Sequence, residues 1–245
     1  MNQNPYKYTI NGTVLFILLM EFQMDQRSVY SGSGETSVLQ TNKVLRNTYM
    51  LLAMTLTFSA ICSGITAAMN ISPGMALGMN LAALVMIFFL NKASQSSMGI
   101  LFVFAFTGLL GGSLGYTLNY YAGMQGGSEL IMQAFGATAL VFFGLSGYVL
   151  TTKKDFSFMG GFLIVGLIVA VVASLANIFF QIPALSLAVS SAIVFIMSGF
   201  ILYDTSRIIN GGETNYIRAT VSMYLNIYNL FTSILHLLGA FGSDD

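Results

Sequence analysis

From residue 49 onward, apolar residues fall into long blocks separated by short polar breaks. A bilayer core about 30 Å thick takes about 20 apolar residues per helix. Seven blocks meet that need: 49–69, 74–90, 98–121, 130–150, 158–180, 184–203 and 219–241. The second is the shortest and carries Asn80. Residues 156–203 hold no Asp, Glu, Lys or Arg, which is too long for one span. Proline cannot continue a helix, so Gln181-Ile182-Pro183 divides that stretch into two. The other breaks are Asn70-Ile71-Ser72-Pro73-Gly74, residues 123–128 and Lys153-Lys154-Asp155. Barrel strands alternate in polarity and cross in about 10 residues, unlike these uniform blocks. The pattern predicts an all-α integral membrane protein with seven transmembrane helices.

Composition agrees. Of 245 residues, 56% are hydrophobic and 7% charged, against about 25% charge in soluble domains. Such a chain cannot cover a globular surface with ionised groups. Nine basic and nine acidic residues give zero formal net charge, so no basic footprint for nucleic acid exists. The single cysteine, Cys62, excludes an internal disulfide and a Cys-rich metal site.

The basic residues set the orientation. Lys43 and Arg46 precede the first span, and Lys92 lies between the second and third. Lys153 and Lys154 lie between the fourth and fifth, Arg207 and Arg218 between the sixth and seventh. With seven spans every basic residue falls on one side, and an even count would break that segregation. The expectation is a cytoplasmic N-terminus and a C-terminus outside. Residues 1–23 fit no membrane or signal pattern: 13–20 is an apolar run of eight, too short to span, and no small-x-small cleavage site follows Lys7. Residues 1–23 are therefore expected to be a mis-called extension before a start at Met24, with an interfacial helix or a weak eighth span as the alternatives, and residues 24–43 a flexible cytosolic tail rich in Ser and Gly. Residues 44–245 form the membrane domain.

Several residues carry candidate chemistry. Gly108/Gly112 and Gly111/Gly115 are overlapping small-xxx-small pairs, which let helix backbones approach closely in lipid. Gly144-Leu145-Ser146-Gly147 with the lone His236 has the ingredients of a serine nucleophile and base. One Ser and one His without an oxyanion donor do not make a site. In the last span Ser222, Asn226, Asn229, Ser233 and His236 recur at spacings of 4, 3, 4 and 3, which places them on one helical face. Polar groups facing lipid are costly, so this stripe belongs to the bundle interior, either as interhelical hydrogen bonding or as an ion or proton path. Asp204 closes the sixth span with Arg207 three residues on, a spacing that suits an interfacial ion pair or an acid at the mouth of a cavity. Glu213 is expected to be solvated in its loop.

The runs Lys43-Val44-Leu45-Arg46-Asn47-Thr48-Tyr49, Phe104-Ala105-Phe106-Thr107-Gly108 and Lys154-Asp155-Phe156-Ser157-Phe158 resemble the Bax inhibitor-1 (TMBIM) family. So do Leu202-Tyr203-Asp204-Thr205 and Tyr224-Leu225-Asn226-Ile227-Tyr228-Asn229-Leu230-Phe231. The run Gly211-Gly212-Glu213-Thr214-Asn215-Tyr216-Ile217-Arg218-Ala219-Thr220 is most similar to the bacterial YccA-like branch. The resemblance begins near residue 25 and continues to the C-terminus. It implies a multi-pass inner-membrane bundle with the seventh helix central and wrapped by the other six, and no catalytic site or cofactor.

Two activities come with the resemblance. YccA-like members are substrates and modulators of the membrane AAA protease FtsH. Other members are pH-sensitive leaks for Ca2+, closed by two aspartates that share a proton. Asp204 matches the first of these, but Asn226 stands where the second would be. The basic residue expected near the end of the second helix is also replaced, by Asn91 with Lys92 adjacent. An amide does not titrate near neutral pH. The expected function is therefore modulation of FtsH, with a cation or proton leak bounded by Asp204, Asn226, Asn229, His236 and Arg207 as the alternative.

Overall fold

The computed structural model describes residues 38–242. The expected extension 1–23, and the expected tail up to residue 37, lie outside the described residues. Seven helices follow in order: α1 (Val38–Ala68), α2 (Pro73–Ala93), α3 (Met98–Ala122), α4 (Gly127–Thr152), α5 (Gly160–Phe180), α6 (Pro183–Ile209) and α7 (Tyr216–Phe241). All seven are long and apolar enough to cross a membrane. Residues 38–43, expected in the tail, form the first turns of α1.

Local chemistry sets the ends. Ser72 caps α2, its hydroxyl accepting from the Met75 N–H at 3.2 Å, and Pro73 follows at the first helical position. Pro183 starts α6 in the same way, where a missing N–H costs nothing because that donor has no intrahelical partner. Asn215 caps α7, accepting from Ile217 N–H at 2.9 Å and Arg218 N–H at 3.2 Å.

The centre of the bundle is α7. Of its most apolar window 67% is buried, against 22–56% in the other helices. It packs chiefly against α1, α3, α4 and α6. The expectation of six wrapping helices is thus refined: α2 lies outside α3, and α5 lies outside α6. Lipid-facing residues of the outer helices are large and apolar, among them Phe88, Phe89, Phe162 and Phe179.

The α1–α3 contact is made by the small residues. A Cβ on Gly111 would collide with the backbone and hydroxyl of Ser59. One on Gly115 would meet the Thr66 hydroxyl, with Ala67 N and Ser63 O at 2.7 Å. The overlapping pair reaches both neighbours, Gly108 facing Phe58 of α1 and Gly112 lying between Met79 of α2 and Thr66 of α1. Where the helices touch, Thr66 donates to the Gly112 carbonyl at 2.8 Å and Asn119 to the Ala67 carbonyl at 2.6 Å. These bonds satisfy polar groups that lipid cannot.

Candidate functional site

At 100° per residue, the five polar residues of α7 fall within an arc of about 80° and extend over about 21 Å of helix. The stripe faces the interior. Asn226, Asn229 and Ser233 are fully buried.

At one end the stripe meets Asp204 of α6. The Asp204 Oδ2 accepts from the Ser222 hydroxyl at 2.6 Å and from Asn226 Nδ2 at 2.7 Å, and the residue is buried. Both donors are neutral groups, so neither supplies a second acid. The shared-proton pair that the resemblance associates with a leak is therefore not formed by Asp204 and Asn226. The adjacent Thr205 lies 3.3 Å from the Ser146 hydroxyl.

At the other end His236 Nδ1 lies 2.8 Å from the Ser190 hydroxyl of α6. Ser146 and His236 thus sit at opposite ends of the bundle, which rules out their pairing as nucleophile and base.

Arg207 leaves the helix end beside Asp204. Its guanidinium covers the Tyr203 ring at 5.4 Å and reaches Glu213 Oε2 at 3.9 Å. Glu213 is buried rather than solvated, which corrects the expectation from sequence. Gly212 N–H and Glu213 N–H both return to the Arg207 carbonyl, at 2.8 and 3.2 Å, and turn the loop back on the helix end. That turn places the Glu213 carboxylate between Arg207 and Arg218, with Arg218 at 3.1 Å. The same carboxylate accepts from Asn215 N–H at 2.8 Å.

The polar joints converge at this end of the bundle. Asn215 donates to the Ser94 carbonyl after α2 at 2.8 Å. Ser206 accepts from the Phe156 N–H after α4 at 2.8 Å and donates toward Asp155 at 3.3 Å. Hydrogen bonds from Ser157, side chain first and then backbone, with a further one from Ser206, hold the Asp155 carboxyl below the ordinary range against a small burial effect.

A second polar network escaped the sequence reading. Tyr224 shares a 2.7 Å hydrogen bond with Ser59 of α1 and donates to the Thr107 carbonyl of α3 at 3.2 Å. Ser113 of α3 lies 3.3 Å from the Tyr228 hydroxyl and donates to Asn80 Oδ1 of α2 at 2.9 Å. The available signal was a Tyr pair four residues apart in α7, whose partners lie on other helices. Asn80, the polar residue of the second apolar block, ties α2 to this network. Among the described residues no three Asp, Glu, His or Cys side chains gather within reach of one ion.

With this geometry in place, the comparisons are specific. The model of the family described as inhibitor of apoptosis-promoting Bax1 matches residues 41–243. The modulator of FtsH protease YccA of Escherichia coli K12 is 52% identical over 223 residues, covering 89% of this chain and 99% of that protein. The inner membrane protein YccA of Escherichia coli O6:H1 aligns with the same identity and coverage. An uncharacterized membrane protein of Vibrio cholerae is 56% identical over 208 residues, 84% of this chain and 93% of its own length.

Proposed function

The chain belongs to the Bax inhibitor-1 family, and from that premise we propose that it acts in a bacterial inner membrane as a modulator of the FtsH protease, being also a substrate of it. The observation that carries this reading is the 52% identity along 99% of a protein named for that role. It is a non-catalytic role: Asp204, Ser222, Ser190 and His236 hydrogen-bond between helices rather than gathering as a nucleophile with its base.

The proposed mechanism is steric and competitive. The polar N-terminal segment offers the protease a place to begin, with the N-terminus and the end bearing Lys92, Lys153, Lys154, Arg207 and Arg218 in the cytoplasm. The C-terminus then faces the periplasm. Pulling on that segment loads α1 first. To leave the bundle α1 must break the Thr66–Gly112 and Ser59–Tyr224 hydrogen bonds and part from the Gly111/Gly115 surface, against which Ser59, Ser63 and Thr66 of α1 pack closely. A slow release keeps the protease occupied and spares other membrane substrates.

The test is capture of the full-length chain from native membranes, followed by turnover of a second FtsH membrane substrate with and without the chain. FtsH is expected to co-purify, and the second substrate to persist longer when the chain is present. Absence of FtsH from the capture, together with unchanged substrate turnover, overturns the reading.

A further inference from the structure

The two polar links between α6 and α7 fix their register, and that register places unlike faces against each other. On α6 the positions in line are Ser190, Ile193, Met197, Ile201 and Asp204, at spacings of 3, 4, 4 and 3. On α7 they are Ser222, Asn226, Asn229, Ser233 and His236. Asp204 meets Ser222 and Asn226, and Ser190 meets His236. Between those links the same line of α6 carries Ile193, Met197 and Ile201, all buried, while the stripe of α7 carries Asn226, Asn229 and Ser233.

The middle of the α7 stripe therefore lacks protein partners. Asn226 Oδ1, Asn229 Oδ1, Asn229 Nδ2 and Ser233 Oγ are buried atoms with no hydrogen-bond partner in the protein. They lie within about 60° of arc and about 10 Å of helix. Buried polar atoms in native proteins are almost always satisfied, and a cluster of four has to be explained by something that binds there.

We propose that these four atoms bind a small cluster of internal water at the centre of the bundle, enclosed between the polar face of α7 and the apolar rungs of α6. The donor set selects water over a cation. A cation would satisfy the oxygens and leave the Asn229 N–H donors facing it, whereas water both donates and accepts. Internal waters make about three hydrogen bonds each, a number these atoms supply. Asn226 is the boundary of the cluster: its Nδ2 is held by the Asp204 carboxylate and its Oδ1 is turned to the water. An amide cannot pass a proton on by titrating, so Asn226 does not relay a proton between the water and Asp204.

The test uses the uniformly 15N-labelled full chain in bilayers of acyl-deuterated lipid. In water-edited solid-state NMR the Asn229 side-chain amide, identified by its loss in Asn229→Leu, should receive polarisation from water within a factor of about three of the rate at exposed Asn70. The backbone amides of Leu230 and Leu235 should receive it more than tenfold more slowly. An Asn229 signal as slow as those of Leu230 and Leu235 overturns the proposal. Thermal unfolding gives an independent reading through its sign. Asn229→Leu lowers the unfolding temperature if water is displaced and Asn226 Oδ1 and Ser233 Oγ are left bare; a raised temperature means that the site was dry, and overturns the proposal.

Discussion

Asn226 of α7 donates to Asp204 of α6 across 2.7 Å inside the bundle. That contact makes position 226 the sensitive point of the site. Asn226→Asp places two carboxylates in hydrogen-bond contact, where like charges in low dielectric cannot both ionise cheaply. One of them is expected to keep its proton at neutral pH. Infrared difference spectra between the variant and the parent should then show a protonated carboxyl component assignable to the pair. Asn226→Leu instead strips the carboxylate of a donor and should lower stability by about 1–3 kcal/mol, the usual cost of an abandoned buried partner.

The glycines of the bundle divide by what surrounds them. Gly115→Ala drives a methyl into Thr66, Ala67 and Ser63 of α1, and overpacking of this kind costs about 1–3 kcal/mol. Gly136 and Gly144 of α4 have nothing within 4 Å of an added Cβ. Alanine there should be neutral, or stabilising by up to about 1 kcal/mol through helix propensity. Thermal unfolding in detergent checks both, and turnover by FtsH should speed up for the Gly115 variant alone.

Much of this was legible in the sequence because lipid imposes a simple rule on length and polarity. Six of the seven helices begin within three residues of the position that the apolar blocks set. The exceptions have one cause. α1 starts at Val38 rather than 49, and α6 runs to Ile209 rather than 203. Hydropathy marks the greasy centre of a rod, while Lys43 and Arg46, or Asp204 and Arg207, lie on polar turns that extend past it. The stripe on α7 could be read because one periodicity defines it. Its partners could not. That His236 meets Ser190 rather than Ser146 depends on how α6 slides along α7, which no spacing within a single helix contains. Glu213 was misread because the two glycines before it fold the loop back on Arg207, a tertiary event.

Asp155 gives a pH dependence of known sign. Its carboxyl is held below the ordinary range by Ser157 and Ser206. A lowered folded value contributes stability that is present above the unfolded carboxyl value, about 3.9, and lost as pH falls through the folded one. The joint between α4 and α5 should therefore loosen only in strong acid, and by little, because the group is exposed. Asp155→Asn should flatten the acid limb of stability below about pH 4. Hydrogen exchange at the Phe156 and Ser157 amides measures it.

Removing residues 25–36 takes away the polar segment before α1 without entering the helix. Degradation of the shortened chain by FtsH is expected to slow severalfold, with unfolding temperature unchanged. Equal half-lives for the full and shortened chains would overturn the proposed role of this segment. Pulse-chase labelling in cells reads the half-life.

The seam between α1 and α3 also bears on how the chain is made. Ser59, Ser63 and Thr66 sit on the side of α1 that α3 covers. A ribosome delivers α1 two helices before its mate. Until α3 arrives, this hydroxyl-bearing side has only lipid or the insertion machinery to rest against. The newborn protein is thus most vulnerable at the point that becomes, once assembly is complete, its tightest joint.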